Sequence, residues 1–187
     1  MAIKLLSKLL IILVIGLSLC TNYLALATEQ PKEPIILGMS AAFSGASSNL
    51  GLELYHGSMA YIDKINQAGG INGHPIIIKA YDDGYDPLST LKNTIRLVEN
   101  DGVSLLFDYV GTPTVTKILP LLQKYQENKV FLFFPFTGAE PHRQYPYARS
   151  VINLRPSYQE ETAGLVDHFL KMGRKRIAVF YQIDAYT

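Results

Sequence analysis

The stretch Asp108-Tyr109-Val110-Gly111-Thr112-Pro113-Thr114 decides how this chain is read. An apolar run, Val103 to Phe107 broken only by Ser104, leads into it and predicts a strand. Val115, Ile118, Leu119 and Leu122 then recur at helical spacing. Gly111 lets the backbone turn sharply with no Cβ in the way. Thr112 suits the N-cap, and Pro113 the first helical position, where its missing N–H would be unpaired in any case. The expected unit is a strand, a tight turn and a helix start whose free N–H groups lie beside a hydroxyl. Ligands of open α/β sheets bind beyond the carboxyl ends of the strands. A helix start favours an anion such as a carboxylate or phosphate. The plainer reading of the same turn is that Thr112 only caps its helix.

The alternation continues in both directions. Ile35 to Met39 is an unbroken apolar run, the mark of a strand covered on both faces. Ser40 to Asn49 is small and polar, a loop. Leu54, Met59, Ile62 and Ile65 have helical spacing, ended by Ala68-Gly69-Gly70. Asn72-Gly73 turns the chain into a strand over Ile76 to Ala80. After the loop Tyr81 to Pro87, Asp86 as N-cap and Pro87 open a helix carrying Leu88, Leu91, Ile95 and Val98. Beyond the central unit, Val130 to Phe134 predicts a fourth strand, followed by a loop over Pro135 to Glu140. Pro141 to Arg149 has no clear period. Ser150 to Arg155 reads as a short strand or crossing segment. A helix follows from Tyr158 with Leu165, Val166, Phe169, Leu170 and Met172 on one face, and a last strand is expected at Ile177 to Tyr181. Strand and helix alternating in this way predict an α/β fold, a doubly wound parallel sheet with helices on both faces.

The first 27 residues differ from the rest. Lys4 and Lys8 precede an apolar run from Leu9 to Cys20, and Ala25-Leu26-Ala27 is a small-x-small cleavage site. This is the pattern of a secretory signal peptide over 1–27, with an apolar run too short to span a membrane comfortably. Cys20 at the end of that run raises lipoprotein anchoring as the other option, but Leu19 precedes it where Gly, Ala or Ser is usual. Cleavage after Ala27 removes Lys4, Lys8 and the single cysteine, taking the formal net charge from +1 to −1 and excluding disulfides. A near-neutral chain gives no argument for nucleic acid or an anionic membrane.

No enzyme signature appears. There is no G-x-S-x-G elbow, no phosphate loop and no G-x-G-x-x-G after the first strand. The four histidines are scattered, with no helix-spaced pair for zinc. Asp82, Asp83 and Asp86 lack calcium-loop spacing, and nothing marks a nucleophile beside them. What remains is a set of Ser-, Thr- and Gly-bearing loops at strand ends, which open on one edge if the strands are parallel. Such loops, ringed by Phe and Tyr, suit a small polar ligand with an apolar part.

Several stretches in order resemble the type I periplasmic ligand-binding proteins, the branched-chain amino-acid (leucine/isoleucine/valine) binding family of ABC importers. They are Ile36-Leu37-Gly38 with Phe43-Ser44-Gly45, the run Asp63 to Gly73, Tyr81-Asp82-Asp83 with Asp86-Pro87, Asn100-Asp101-Gly102-Val103, and Arg176-Ile177-Ala178-Val179. The resemblance implies an N-terminal lobe at 28–152, incomplete, and the beginning of a second α/β lobe at 153–187, the chain being an N-terminal fragment that binds ligand weakly or not at all with one jaw missing. It implies that Gly111 and Thr112, with Thr137 and Gly138, hold the ligand's α-carboxylate. Ser44 and Leu50 belong to the first loop, and Tyr186 closes from the second lobe. The implied ligand is an amino acid or a related small carboxylate, the implied partner an ABC permease, and the location periplasmic, with no cofactor, no nucleic acid and no reaction catalysed. The rival readings are the ligand-binding module of a sensor and, further off, a flavodoxin-like enzyme using Asp82 or Asp83. Three departures stand out. Tyr85 and Gly111 occupy positions that some members bridge with a disulfide, the turn is Gly-Thr-Pro-Thr instead of Ser-rich, and Thr187 stands where Gly usually follows the Tyr.

Overall fold

Runs of apolar residues four or five long need cover on both faces, and in this protein they form the middle of one sheet. The computed structural model describes residues 32–179. Everything below concerns the compact unit that begins at Pro34. Its elements are β1 (Ile35–Ala41), α1 (Ser48–Gln67), β2 (Ile76–Asp82), α2 (Pro87–Ile95), β3 (Leu105–Phe107), α3 (Thr112–Lys124), β4 (Phe131–Phe133), β5 (Val151–Ile152) and α4 (Tyr158–Lys171). All strand pairs are parallel, in the order β2-β1-β3-β4-β5.

That order fixes where the helices lie. The chain moves one way from β1 to β2, then reverses past β1 to reach β3. Right-handed crossovers therefore put α1 on one face and α2 and α3 on the other. Two cores result. Leu106, Val115, Ile118, Leu122 and Leu132 are buried on the α2–α3 side. Met39, Ala41, Ile62 and Ile78 are buried on the α1 side, with Leu54, Tyr55 and Met59 packed against them. The reversal between β1 and β3 leaves a crevice at their carboxyl ends, the place where such sheets take ligands.

Asp86 caps α2 as expected, accepting from the Ser89 N–H at 2.7 Å, with Pro87 in the first turn. The α2 helix runs on into a single wide turn, Arg96–Asn100. Ser157 and Glu160 form a capping box at the start of α4. The aperiodic stretch after β4 contains two short 3-10 turns, Pro141–Arg143 and Tyr147–Arg149.

Two expectations are corrected. The N-cap of α3 is Gly111, not Thr112, and no side chain caps that end. Thr112 is inside the first turn, and its hydroxyl bonds elsewhere, so the plain capping reading does not hold. The expected strand Ile177 to Tyr181 is absent over its described part, since residues 174–179 have no regular structure and the remainder lies outside the described residues. A strand exists only by pairing, and among the described residues these have no neighbouring strand. The apolar stripe of α4 is likewise uncovered among the described residues, with Leu165 57% and Leu170 50% exposed.

Candidate functional site

Four loops leave the carboxyl ends of β1 to β4, and contacts join them in chain order. Asp82, last residue of β2, accepts from the backbone N–H groups of Phe43 (2.8 Å), Ser44 (3.2 Å) and Gly84 (2.9 Å). Desolvation raises its pKa, but these donors and the Ser44 hydroxyl outweigh that and hold it below the ordinary carboxylate value. Asp83 is buried. It accepts from the hydroxyls of Ser40 (2.8 Å) and Thr90 (3.0 Å) and from the Tyr85 N–H (2.9 Å). Burial nonetheless leaves its pKa raised. Both carboxylates tie the first loop to the second.

The second loop then meets the third. Gly111 has φ +106, and a Cβ there would lie 2.6 Å from the ring of Tyr85. The two positions that lack a disulfide here are therefore neighbours in space, and the tyrosine ring occupies the room that a side chain at 111 would need. Beyond the sheet proper, Val110 bridges Phe136, and the Phe136 N–H donates to the Tyr109 carbonyl at 2.7 Å. This brings the third and fourth loops together at the start of α3.

At that junction Thr112 Oγ1 lies 2.7 Å from Thr137 Oγ1 and 3.2 Å from the Tyr158 hydroxyl. Thr137 also accepts from the Ala139 N–H at 3.2 Å. Tyr158 covers Gly138, where a Cβ would meet its ring at 2.6 Å, and its N–H donates to the Gly138 carbonyl at 2.7 Å. Arg143 Nη2 donates to the carbonyls of Thr137, Arg155 and Pro156, pinning the fourth loop to the segment that enters α4.

Of the residues singled out in the sequence, Gly111, Thr112, Thr137 and Gly138 come together in one cluster. Ser44 sits one loop away, reached through Asp82 and Tyr85. Leu50 is 42% exposed in the first turn of α1. Tyr186 lies outside the described residues. Thr112 and Thr137 are fully buried, so the cluster is roofed by Tyr158 and is not an open rim. Tyr158 and Arg143 carried no site signal in the sequence, and Tyr85 stood out only as a missing cysteine. Among the described residues no group of three or more His, Cys, Asp and Glu could hold a metal ion. None of the described helices is long and apolar enough to cross a membrane.

The arrangement is that of a known family. A "Leu/Ile/Val-binding protein homolog 3" of Brucella melitensis is 26% identical over 153 residues, covering 81% of this chain and 40% of that protein. A possible leucine/isoleucine/valine-binding protein from Rhodopirellula baltica superposes with a TM-score of 0.69 at 35% identity, over 79% of this chain and 38% of that one. A substrate-binding periplasmic protein from Ralstonia solanacearum gives 0.72 at 31%, over 81% and 42%. The chain thus spans about two-fifths of the length of these relatives. The periplasmic binding protein family matches residues 34–187, and by that match the chain belongs to the periplasmic binding protein family.

Proposed function

We propose that this chain is an exported solute-binding protein of an ABC importer, and that it holds an amino acid or a similar small carboxylate between two lobes. The observation that carries the reading is the 2.7 Å contact between Thr112 and Thr137 at the start of α3. It sets two hydroxyls beside first-turn N–H groups that no side chain caps, and such a helix end attracts a carboxylate. Gly111, Thr112, Thr137 and Gly138 take the carboxylate. Ser44 and Leu50 border the ligand from the first loop, and Tyr186 closes over it from the second lobe. The Tyr158 hydroxyl, 3.2 Å from Thr112, marks where a ligand oxygen arrives and is displaced by it. The N-terminal lobe is 28–152, the second begins at 153–187, and residues 1–27 direct export. The loaded protein delivers its ligand to a membrane permease, and it catalyses nothing.

The test is calorimetric titration of the full-length protein with the common amino acids and short carboxylates. One of these is expected to bind saturably. Thr112→Ala is expected to weaken it by about 1–3 kcal/mol, the cost of leaving a partner unpaired, and Thr112→Ser to restore most of the loss. Unchanged affinity in Thr112→Ala contradicts the reading.

A further inference from the structure

The second loop holds a residue that the carboxylate site described above does not use. Tyr85 has left-handed backbone, with φ 66°, an outlier for a bulky side chain. Such a conformation persists only where the surroundings over-determine it, and it gathers at ligand sites. Asp83 is what holds it. The Asp83 carboxylate, buried just beyond β2, accepts from the Tyr85 N–H at 2.9 Å and from the Ser40 and Thr90 hydroxyls at 2.8 and 3.0 Å. Its own backbone N–H donates to the Ala41 carbonyl at 3.0 Å, and its carbonyl accepts from the Asp86 N–H at 2.9 Å. Asn93 of α2 steadies the same corner, donating to Ser40 Oγ at 3.1 Å and to the Asp82 carbonyl at 3.0 Å. The loop is thus fixed from both β1 and α2.

That anchorage brings the far end of the Tyr85 ring to the start of α3. A Cβ at position 111 would lie 2.6, 2.8 and 2.9 Å from Tyr85 Cε2, Cζ and the hydroxyl oxygen. Gly111 is the N-cap of α3, and no side chain caps that end. Filling the space over Gly111 needs only a ring, and phenylalanine would do it. What tyrosine adds is an O–H at a helix end whose first-turn N–H groups already favour an anion.

We propose that Tyr85 is a specificity-determining residue of the site at the start of α3, its hydroxyl donating to the ligand's carboxylate beside Thr112. The proposal rests on the carboxylate reading given above and adds to it a donor from the second loop. Hydrogen bonds to a charged acceptor are roughly twice as strong as those between neutral groups. A further donor therefore sharpens the choice of a carboxylate over the matching carboxamide, which is uncharged and carries an NH2 that only donates.

Tyr85→Phe keeps the ring over Gly111 and removes only the hydroxyl. The probes are the common L-amino acids, acetate and butyrate, each paired with its carboxamide and titrated into the full-length protein by calorimetry. The expected result in Tyr85→Phe is an acid bound about tenfold or more weaker, an amide changed less than about twofold, and a urea unfolding midpoint that does not move. An acid bound as in wild type, acid and amide weakened by the same factor, or a weakened acid together with a lower midpoint overturns the proposal. An acid weakened by Thr112→Ala but not by Tyr85→Phe overturns this proposal alone. No acid bound by wild type, or none affected by Thr112→Ala, removes the carboxylate reading and this proposal with it.

Discussion

Asp108→Asn is expected to stabilise the fold at neutral pH, although it removes a buried hydrogen-bonding acid. Burial pushes the Asp108 carboxyl from its ordinary 3.8 up to about 6, against a small opposing effect of the Ser58 hydroxyl. A pKa raised on folding means that the folded state holds the proton more tightly. The contribution of Asp108 is therefore most favourable below pH 4 and is lost as the pH rises towards 6. About two pH units at about 1.4 kcal/mol each cap the loss at about 3 kcal/mol. Asn is neutral, has nearly the same shape, and tolerates the left-handed backbone as well as Asp does. Its amide also loses some hydration on burial, so the net gain at pH 7 is expected at about 1–2 kcal/mol. Urea unfolding of wild type and variant at pH 4 and pH 7 reads this directly. The gain should be present at pH 7 and nearly absent at pH 4. A variant less stable than wild type at pH 7, or equally shifted at both pH values, refutes the reasoning.

Other consequences are open to the same measurements. Gly111→Ala puts a Cβ against the Tyr85 ring at positive φ, and a loss of about 2 kcal/mol or more is expected, partly recovered in Gly111→Ala/Tyr85→Ala. His142 is fully buried, and among the described residues neither ring nitrogen has a hydrogen-bond partner of good geometry, Asn153 being its polar neighbour. Burial lowers its pKa from 6.5 to about 4, so its contribution to stability is lost as the pH falls from 6.5 to 4, and His142→Phe should flatten that part of the stability profile. Ser157→Ala, which breaks the capping box of α4, is expected to cost about 1 kcal/mol in thermal or urea unfolding.

Periodicity located the strands and α-helices of the described residues, though not the short 3-10 turns, because burial on one face or both is written into residue spacing. What spacing cannot carry is contact at long range. Asp82 and Asp83 looked like candidate acids, yet they hold loops about forty residues away, through Phe43, Ser44 and Ser40. Thr112 read as a cap because Pro113 followed it, but Pro is also accepted one position later, and Gly111 takes the cap position. The resemblance had already paired positions 85 and 111, but that the Tyr85 ring fills the space of the missing side chain is visible only when the two loops are side by side. Apolar spacing alone placed the start of α4 at Tyr158, and the Ser157–Glu160 capping box that fixes this boundary went unused in that reading. The strand expected at Ile177 failed for the opposite reason, since its pattern is right and no described neighbour pairs with it.

The central claim is that the start of α3 receives the carboxylate of a ligand. Its most direct test is a crystal structure of the full-length protein with the amino acid or carboxylate that calorimetry selects. A carboxylate oxygen about 2.7–3.2 Å from Thr112 Oγ1, with the Tyr158 hydroxyl displaced, is the expected result. A ligand bound elsewhere, with the Thr112–Tyr158 contact intact, would contradict it.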